Sequence, residues 1–137
     1  HDQVAGESLR GLINRLADLC EPILIAGNHD RRLPKTFDFV TAWETDGFRF
    51  HHGHCAAGVD ARIQIIGHHH PAGTVTDGAG LRLKLPAFIQ TEKCWILPAF
   101  SPWAAGAVWP ADASTQVWLC SPQRVLRLPQ PTPVASA

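Results

Sequence analysis

The chain contains no methionine in its 137 residues, not even at position 1. A translated product begins with one, so the sequence reads as a fragment or a processed chain. It also lacks an excess of either charge: twelve Lys and Arg face twelve Asp and Glu. A balanced chain has no general electrostatic grip on nucleic acid or an anionic membrane, which leaves only a local patch as a route to such partners. No apolar run approaches the roughly 18–20 residues that a membrane span needs. A polar, helix-patterned start stands where the apolar region of a secretory signal would be. The expected location is therefore the cytoplasm. Cys20, Cys55, Cys94 and Cys120 show no Cys-x-x-Cys pairing, which argues against a structural zinc site and for buried free thiols.

What the chain does have is histidine in a confined stretch. Seven of eight lie between positions 29 and 70, in Gly27-Asn28-His29-Asp30, His51-His52-Gly53-His54 and Gly67-His68-His69-His70-Pro71. Neutral imidazole is the commonest metal ligand among side chains. Apolar residues make up 45% of the chain, enough for one domain with one core.

Ser8 to Cys20 reads as an amphipathic helix, with Leu9, Leu12, Ile13, Leu16 and Leu19 on one face and Pro22 ending it. Ile23 to Ala26 reads as a short strand buried on both faces. Phe48 to Phe50 and Arg62 to Ile66 read as further strands. Each histidine cluster thus follows the C-terminal end of a strand, where open α/β sheets bind ligands. Leu81 to Leu85 alternates strictly, as a half-buried strand does. Lys93 to Leu97, Gln116 to Cys120 and Arg124 to Leu128 complete an antiparallel set. Residues 1–128 form the expected domain, and the Pro/Thr/Ala/Ser composition of 129–137 predicts a disordered tail.

In an extended segment, residues i and i+2 point to one side. His68 and His70 can then reach one site while His69 points away. Gly67 lets the backbone turn closely, and Pro71 stiffens the exit.

Gly27-Asn28-His29-Asp30, His52-Gly53 and Gly67-His68-His69-His70 resemble, in order and spacing, the third, fourth and fifth signatures of the calcineurin-like metallophosphoesterases. Asn28-His29-Asp30-Arg31-Arg32, Gly67 to Ala72, Arg82 to Phe88 and Leu97 to Phe100 are similar to the bacterial ligase-associated phosphoesterases of the PdeM type, also called ICC-like. The resemblance covers residues 1–128. It implies an α/β fold, the C-terminal part of an αββα sandwich of mixed sheets, with the N-terminal strands absent.

The resemblance also implies a site. Asn28, His52 and His68 match ligands of one metal of a binuclear pair, and His70 matches a ligand of the other. His29 matches the histidine that contacts the scissile phosphate and assists the leaving group. The cofactors implied are two divalent metal ions, manganese first, with zinc, iron or magnesium as alternatives. Two such cations about 3.5–4 Å apart can clamp a phosphoryl group. Asp30 is expected to accept a hydrogen bond from His29 and fix its tautomer. His52 is preferred over His51 because the family's ligand immediately precedes a glycine or proline, while a one-residue slip would reverse the faces. His54 and His69 are read as solvated or outer residues. Arg31 and Arg32 are read either as phosphate contacts or as a solvated loop. Trp43, Trp95, Trp103, Trp109 and Trp118 are expected in the core.

The family pattern opens with Asp-x-His and Gly-Asp signatures that do not occur here. The resemblance places them upstream, with the bridging carboxylate and two ligands of the first metal. This chain alone is then expected to hold at most one metal tightly, and to expose the apolar edge of the Ile23–Ala26 strand. The implied activity is hydrolysis of a phosphodiester, DNA included, or of a phosphomonoester. The implied setting is bacterial DNA repair beside a ligase, helicase or nuclease, with no membrane partner. The alternative is a catalytically incomplete metal-binding remnant or interaction domain. A histidine-rich metal buffer fits least, because such tracts rarely lie at three strand ends.

Overall fold

The computed structural model describes residues 2–30, 37–54, 61–101, 104, 106–110 and 112–130, with side chains from Gly6 onward. Arg31, Arg32, Cys55, Trp103 and most of the expected tail lie outside the described residues. One helix and eleven strands are present among those described. They are α1 (Asp2–Ala17), β1 (Leu24–Ile25), β2 (Phe39–Val40), β3 (Ala42–Thr45), β4 (Phe48–His51) and β5 (Ile63–Ile66). Then follow β6 (Pro71–Thr76), β7 (Arg82–Gln90), β8 (Cys94–Ile96), β9 (Ala107–Val108), β10 (Gln116–Cys120) and β11 (Val125–Arg127). The fold is mixed α/β and mostly sheet. No helix among the described residues is long and apolar enough to cross a membrane.

The main sheet runs β11-β10-β7-β8-β5-β4-β3, with β6 branching from β7 and β9 pairing β6. Its centre, β4-β5-β8, is parallel. Its outer part, β7-β10-β11, is antiparallel as expected, but the second half is not antiparallel throughout: β8 pairs parallel with β5 and β9 parallel with β6. β7 serves both layers. Its first half pairs with β6, from Thr76↔Arg82 to Ala72↔Pro86, and its second half pairs with β10 and β8. Pro86 stands where the partners change, the position at which a strand tolerates a missing N–H.

Ala87, Ile89, Ile96, Val117 and Leu119 form the buried core. The β6 layer comes so close to β10 that a Cβ on Gly73 would lie 2.5 Å from Leu119 Cδ2. Any larger residue there would displace the buried Leu119 side chain. At the other end of the sheet, Asp46 (φ 42°) and Gly47 (φ 84°) close the β3–β4 hairpin. Positive φ at both central residues is the type I′ pattern, whose twist matches the flanking strands.

Several expectations are corrected. The helix begins at Asp2, six residues before Ser8, and ends at Ala17, where Leu19 and Cys20 N–H groups both return to the Leu16 carbonyl. Its apolar stripe is not buried: Leu12, Leu16 and Leu19 are all exposed. β1 is shorter than Ile23–Ala26 and, among the described residues, pairs only with β2, in a separate two-stranded sheet. With one neighbour it is half-buried, and Ile23 is exposed. Leu81 and Leu83 are also exposed, because the β6–β7 hairpin extends past the packed layers. Pro71 does not end an excursion but begins β6, fully buried. Trp43 is exposed and stacks on Phe50 at the surface, with centroids 5.2 Å apart. Trp95, Trp109 and Trp118 are only half-buried. Cys20, Cys94 and Cys120 are free, but Cys20 is exposed.

Candidate metal centre

Three strand ends converge. β4 and β5 run parallel and in register to His51↔Ile66. Their ladder continues past the strands, with the Gly67 and His68 N–H groups both donating to the His52 carbonyl, at 3.2 and 2.9 Å. That places His52 and His68 side by side. Gly53, at φ 98°, turns the chain away immediately; a Cβ there would lie 3.0 Å from Ile66 Cβ.

β1 brings in the third element. The Ala26 N–H donates to the Val40 carbonyl, and the next residue, Gly27, lies against His52. A Cβ on Gly27 would meet His52 Cε1 and Nδ1 at 3.0 Å and Asp30 Oδ2 at 3.1 Å. The Gly27 N–H donates to Asp30 Oδ2 at 2.7 Å. The Asp30 carboxylate therefore pins the turn that carries Asn28. The tautomer-fixing bond from His29 expected of it is not formed.

The result is a compact trio. His52 Nε2 lies 2.8 Å from Asn28 Oδ1 and 3.0 Å from His68 Nδ1. A single ring nitrogen carries either a proton or a lone pair. It cannot donate to the amide oxygen and accept from His68 at once, so one contact lacks a proton or both share one. A cation would take all three lone pairs together. Ligand atoms held at right angles about 2.1 Å from one divalent ion lie about 3.0 Å apart, close to the spacing here. The donor set, an amide oxygen and two imidazoles, suits manganese, iron or zinc. Among the described residues, no group of three His, Cys, Asp or Glu side chains forms a metal cage. The trio therefore depends on Asn28.

The electrostatics keep these imidazoles neutral. Partial burial lowers the His52 pKa, and neighbouring His68 and His54 lower it further, with Asp30 opposing. His68 is lowered by desolvation and then by His69, His54, His70 and His29. Neutral rings are the form that offers a lone pair to a metal.

The other candidates divide. His51 turns to the opposite side, where its Nε2 lies 3.1 Å from Gln64 Oε1, so His52 is the one beside Asn28 and His68. His29 is exposed next to Asn28 and near enough to act on both imidazoles. His70 does not join the trio. The chain turns at His68–His69 and His70 takes φ 45°, so the extended i, i+2 alternation expected for His68 and His70 does not apply. His70 instead lines an adjoining cavity. His69 lies closer, its ring 5.4 Å from His68 and 6.0 Å from Trp109. His54, read from sequence as an outer residue, has its ring 5.2 Å from His52 and 6.2 Å from His68. Lys84 and Ser101, which share the cavity with His70, carried no signal of this placement beyond their polarity.

No family model and no curated protein matches the sequence. Among solved structures, the chain is similar to the nuclease MPE of Pseudomonas putida, with a TM-score of 0.65 and 29% sequence identity. The match covers 83% of this chain and 57% of that one, so the chain spans little more than half the length of its structural neighbour.

Proposed function

We propose that this chain is a metal-dependent phosphoesterase domain that hydrolyses phosphodiester bonds, nucleic acid among them. The observation that carries this reading is the placement of Asn28 Oδ1 and His68 Nδ1 at 2.8 and 3.0 Å from His52 Nε2, where three strand ends meet. The likeness to a nuclease supports the substrate class. In this reading Asn28, His52 and His68 would hold one divalent cation, and His70, which lines the neighbouring cavity, is not among its ligands. A bound divalent cation supplies Lewis-acid stabilisation of charge on a phosphoryl group.

The chain's own residues do the rest. Asp30 holds the Gly27–Asn28 turn, so the amide oxygen is presented without searching. Burial and mutual repulsion keep His52 and His68 unprotonated near neutral pH. In the same reading His29, exposed next to Asn28, contacts the scissile phosphate and gives a proton to the departing oxygen.

A manganese titration of the purified chain, read by metal content and by hydrolysis of a bis-aryl phosphodiester, tests this. Wild type is expected to bind manganese and turn over, and His52→Ala to lower metal affinity by more than about 100-fold, since even outer-shell losses cost 10–100-fold. Equal manganese binding by both proteins would overturn the assignment. A second reading, a metal-binding module without catalysis, is favoured by one observation: the trio contains no carboxylate, and that of Asp30 is engaged with Gly27. Metal binding without turnover would select it.

A further inference from the structure

A cavity of about 220 Å³ has none of the trio in its lining. His70, two residues beyond His68, forms one wall. Pro86, Ala99, Ala104 and Gly106 are among the small or apolar residues that form others, and Lys84 stands among them. Lys84 is exposed on β7, and its Nζ donates to the Gly106 carbonyl at 3.1 Å. Gly106 takes φ 57°, and a Cβ there would lie 2.9 Å from the His70 carbonyl oxygen and 3.2 Å from Ala72 Cβ. The loop therefore reaches the base of His70 only because residue 106 is glycine. The Ala107 N–H then bonds that same carbonyl. The wall that His70 shares with Gly106 is fixed by backbone contacts.

We propose that this cavity is a subsite for one nucleotide unit of a phosphoester substrate: the ring system enters between the apolar walls, and Lys84 takes a phosphate oxygen at the edge. The inference rests on the phosphoester reading above. Three features support it. Mostly apolar walls with a few placed polar groups are the usual make-up of a small-molecule site. The volume falls below the roughly 300–1,000 Å³ of sites for drug-sized ligands, which limits the occupant to about one ring system. A lysine ammonium carries three donors, so Lys84 can keep its bond to Gly106 and still serve an anion.

The test is a calorimetric titration of the metal-free chain with thymidine 5′-monophosphate and, separately, with inorganic phosphate. Wild type is expected to bind the nucleotide at least fivefold more tightly than phosphate. Ala104→Leu fills the space and is expected to abolish that preference, while Lys84→Gln removes the charge and is expected to weaken both ligands alike. Equal affinity of wild type for the two ligands, a preference that persists in Ala104→Leu, or a nucleotide affinity unchanged by Lys84→Gln overturns the subsite. Because the titration contains no metal and reads no turnover, it fails independently of the phosphoester reading, whose failure appears as absent manganese-dependent hydrolysis.

Discussion

Ala87, Ile89 and Leu119, at the centre of the main sheet, are wholly buried, whereas Leu19 is 84% exposed and Leu12 and Ile23 keep 42% and 40% of their surface. The two regions are held by different forces. The β7–β10 centre is fixed by apolar burial from both layers. The α1–β1–β2 region meets the sheet through polar contacts at the trio, with little apolar surface removed from water. The trio sits on the seam between the well-packed part and the loosely packed one.

The largest expected effect tests that contrast directly. Leu119→Ala should cost about 2–5 kcal/mol, the range for truncating a buried leucine, read as a lower urea midpoint at unchanged slope. Leu16→Ala, on the exposed stripe of α1, should change stability by no more than about 0.5 kcal/mol. Comparable losses in the two variants would mean that α1 is packed in solution and would dissolve the distinction.

A smaller effect is expected at the seam. Gly27→Ala brings a methyl group to 3.0 Å from the His52 ring. The turn must shift by a few tenths of an ångström, at about 1–3 kcal/mol for overpacking. Manganese affinity should fall with it, measured by competition with a chelator. An unchanged affinity would show that Asn28 does not need this approach to reach His52.

The smallest effect is on pH dependence. His52 and His68 have folded pKa values below the ordinary 6.5. As pH falls below about 6.5, the unfolded chain takes up protons before the folded one, so stability must fall with pH until the folded values are passed. The metal-free protein should melt at a lower temperature at pH 5 than at pH 7. His52→Gln and His68→Gln should each flatten that slope. A slope unaltered in both would place the lost protons elsewhere, in the carboxylates.

The parts of the fold legible in the sequence were those whose pattern is local. Gln116–Cys120 appears with the expected bounds, and β5 and β11 within a residue at each end, because their apolar runs are flanked by turn residues. The β3–β4 hairpin has only Asp46-Gly47 to announce it, since Ala42–Thr45 lacks a continuous apolar run. β6 is obscured by Pro71, which can open a strand because its missing N–H falls at the start. Burial of α1 and of the strand before Asn28 was not legible, because it depends on surface supplied by other elements. At the site, His52 and His68 come side by side because the β4–β5 ladder continues past the strands, while His51 faces Gln64. His70 does not join them, because a left-handed residue breaks the alternation, and nothing in His-His-His-Pro announces one. The partners of Asp30 and Lys84 are backbone groups of Gly27 and Gly106, brought near by folding in a way no spacing encodes.

The contact of Asn28 with His52 has a consequence beyond ligation. Asn28 follows β1 of the small sheet, while His52 and His68 follow adjacent strands of the large one. Any ion gripping all three ties the two sheets together, so binding energy becomes docking energy. At a hundredfold excess over the dissociation constant, linkage supplies about 2.7 kcal/mol to whichever state binds. In the α1–β1 region, where little apolar surface is buried, that is large relative to local stability. Amide hydrogen exchange in β1 and β2 should therefore slow sharply on loading, while exchange in β10, already limited by global unfolding, barely changes. The site would act as a clasp, with metal availability setting how often the N-terminal region opens.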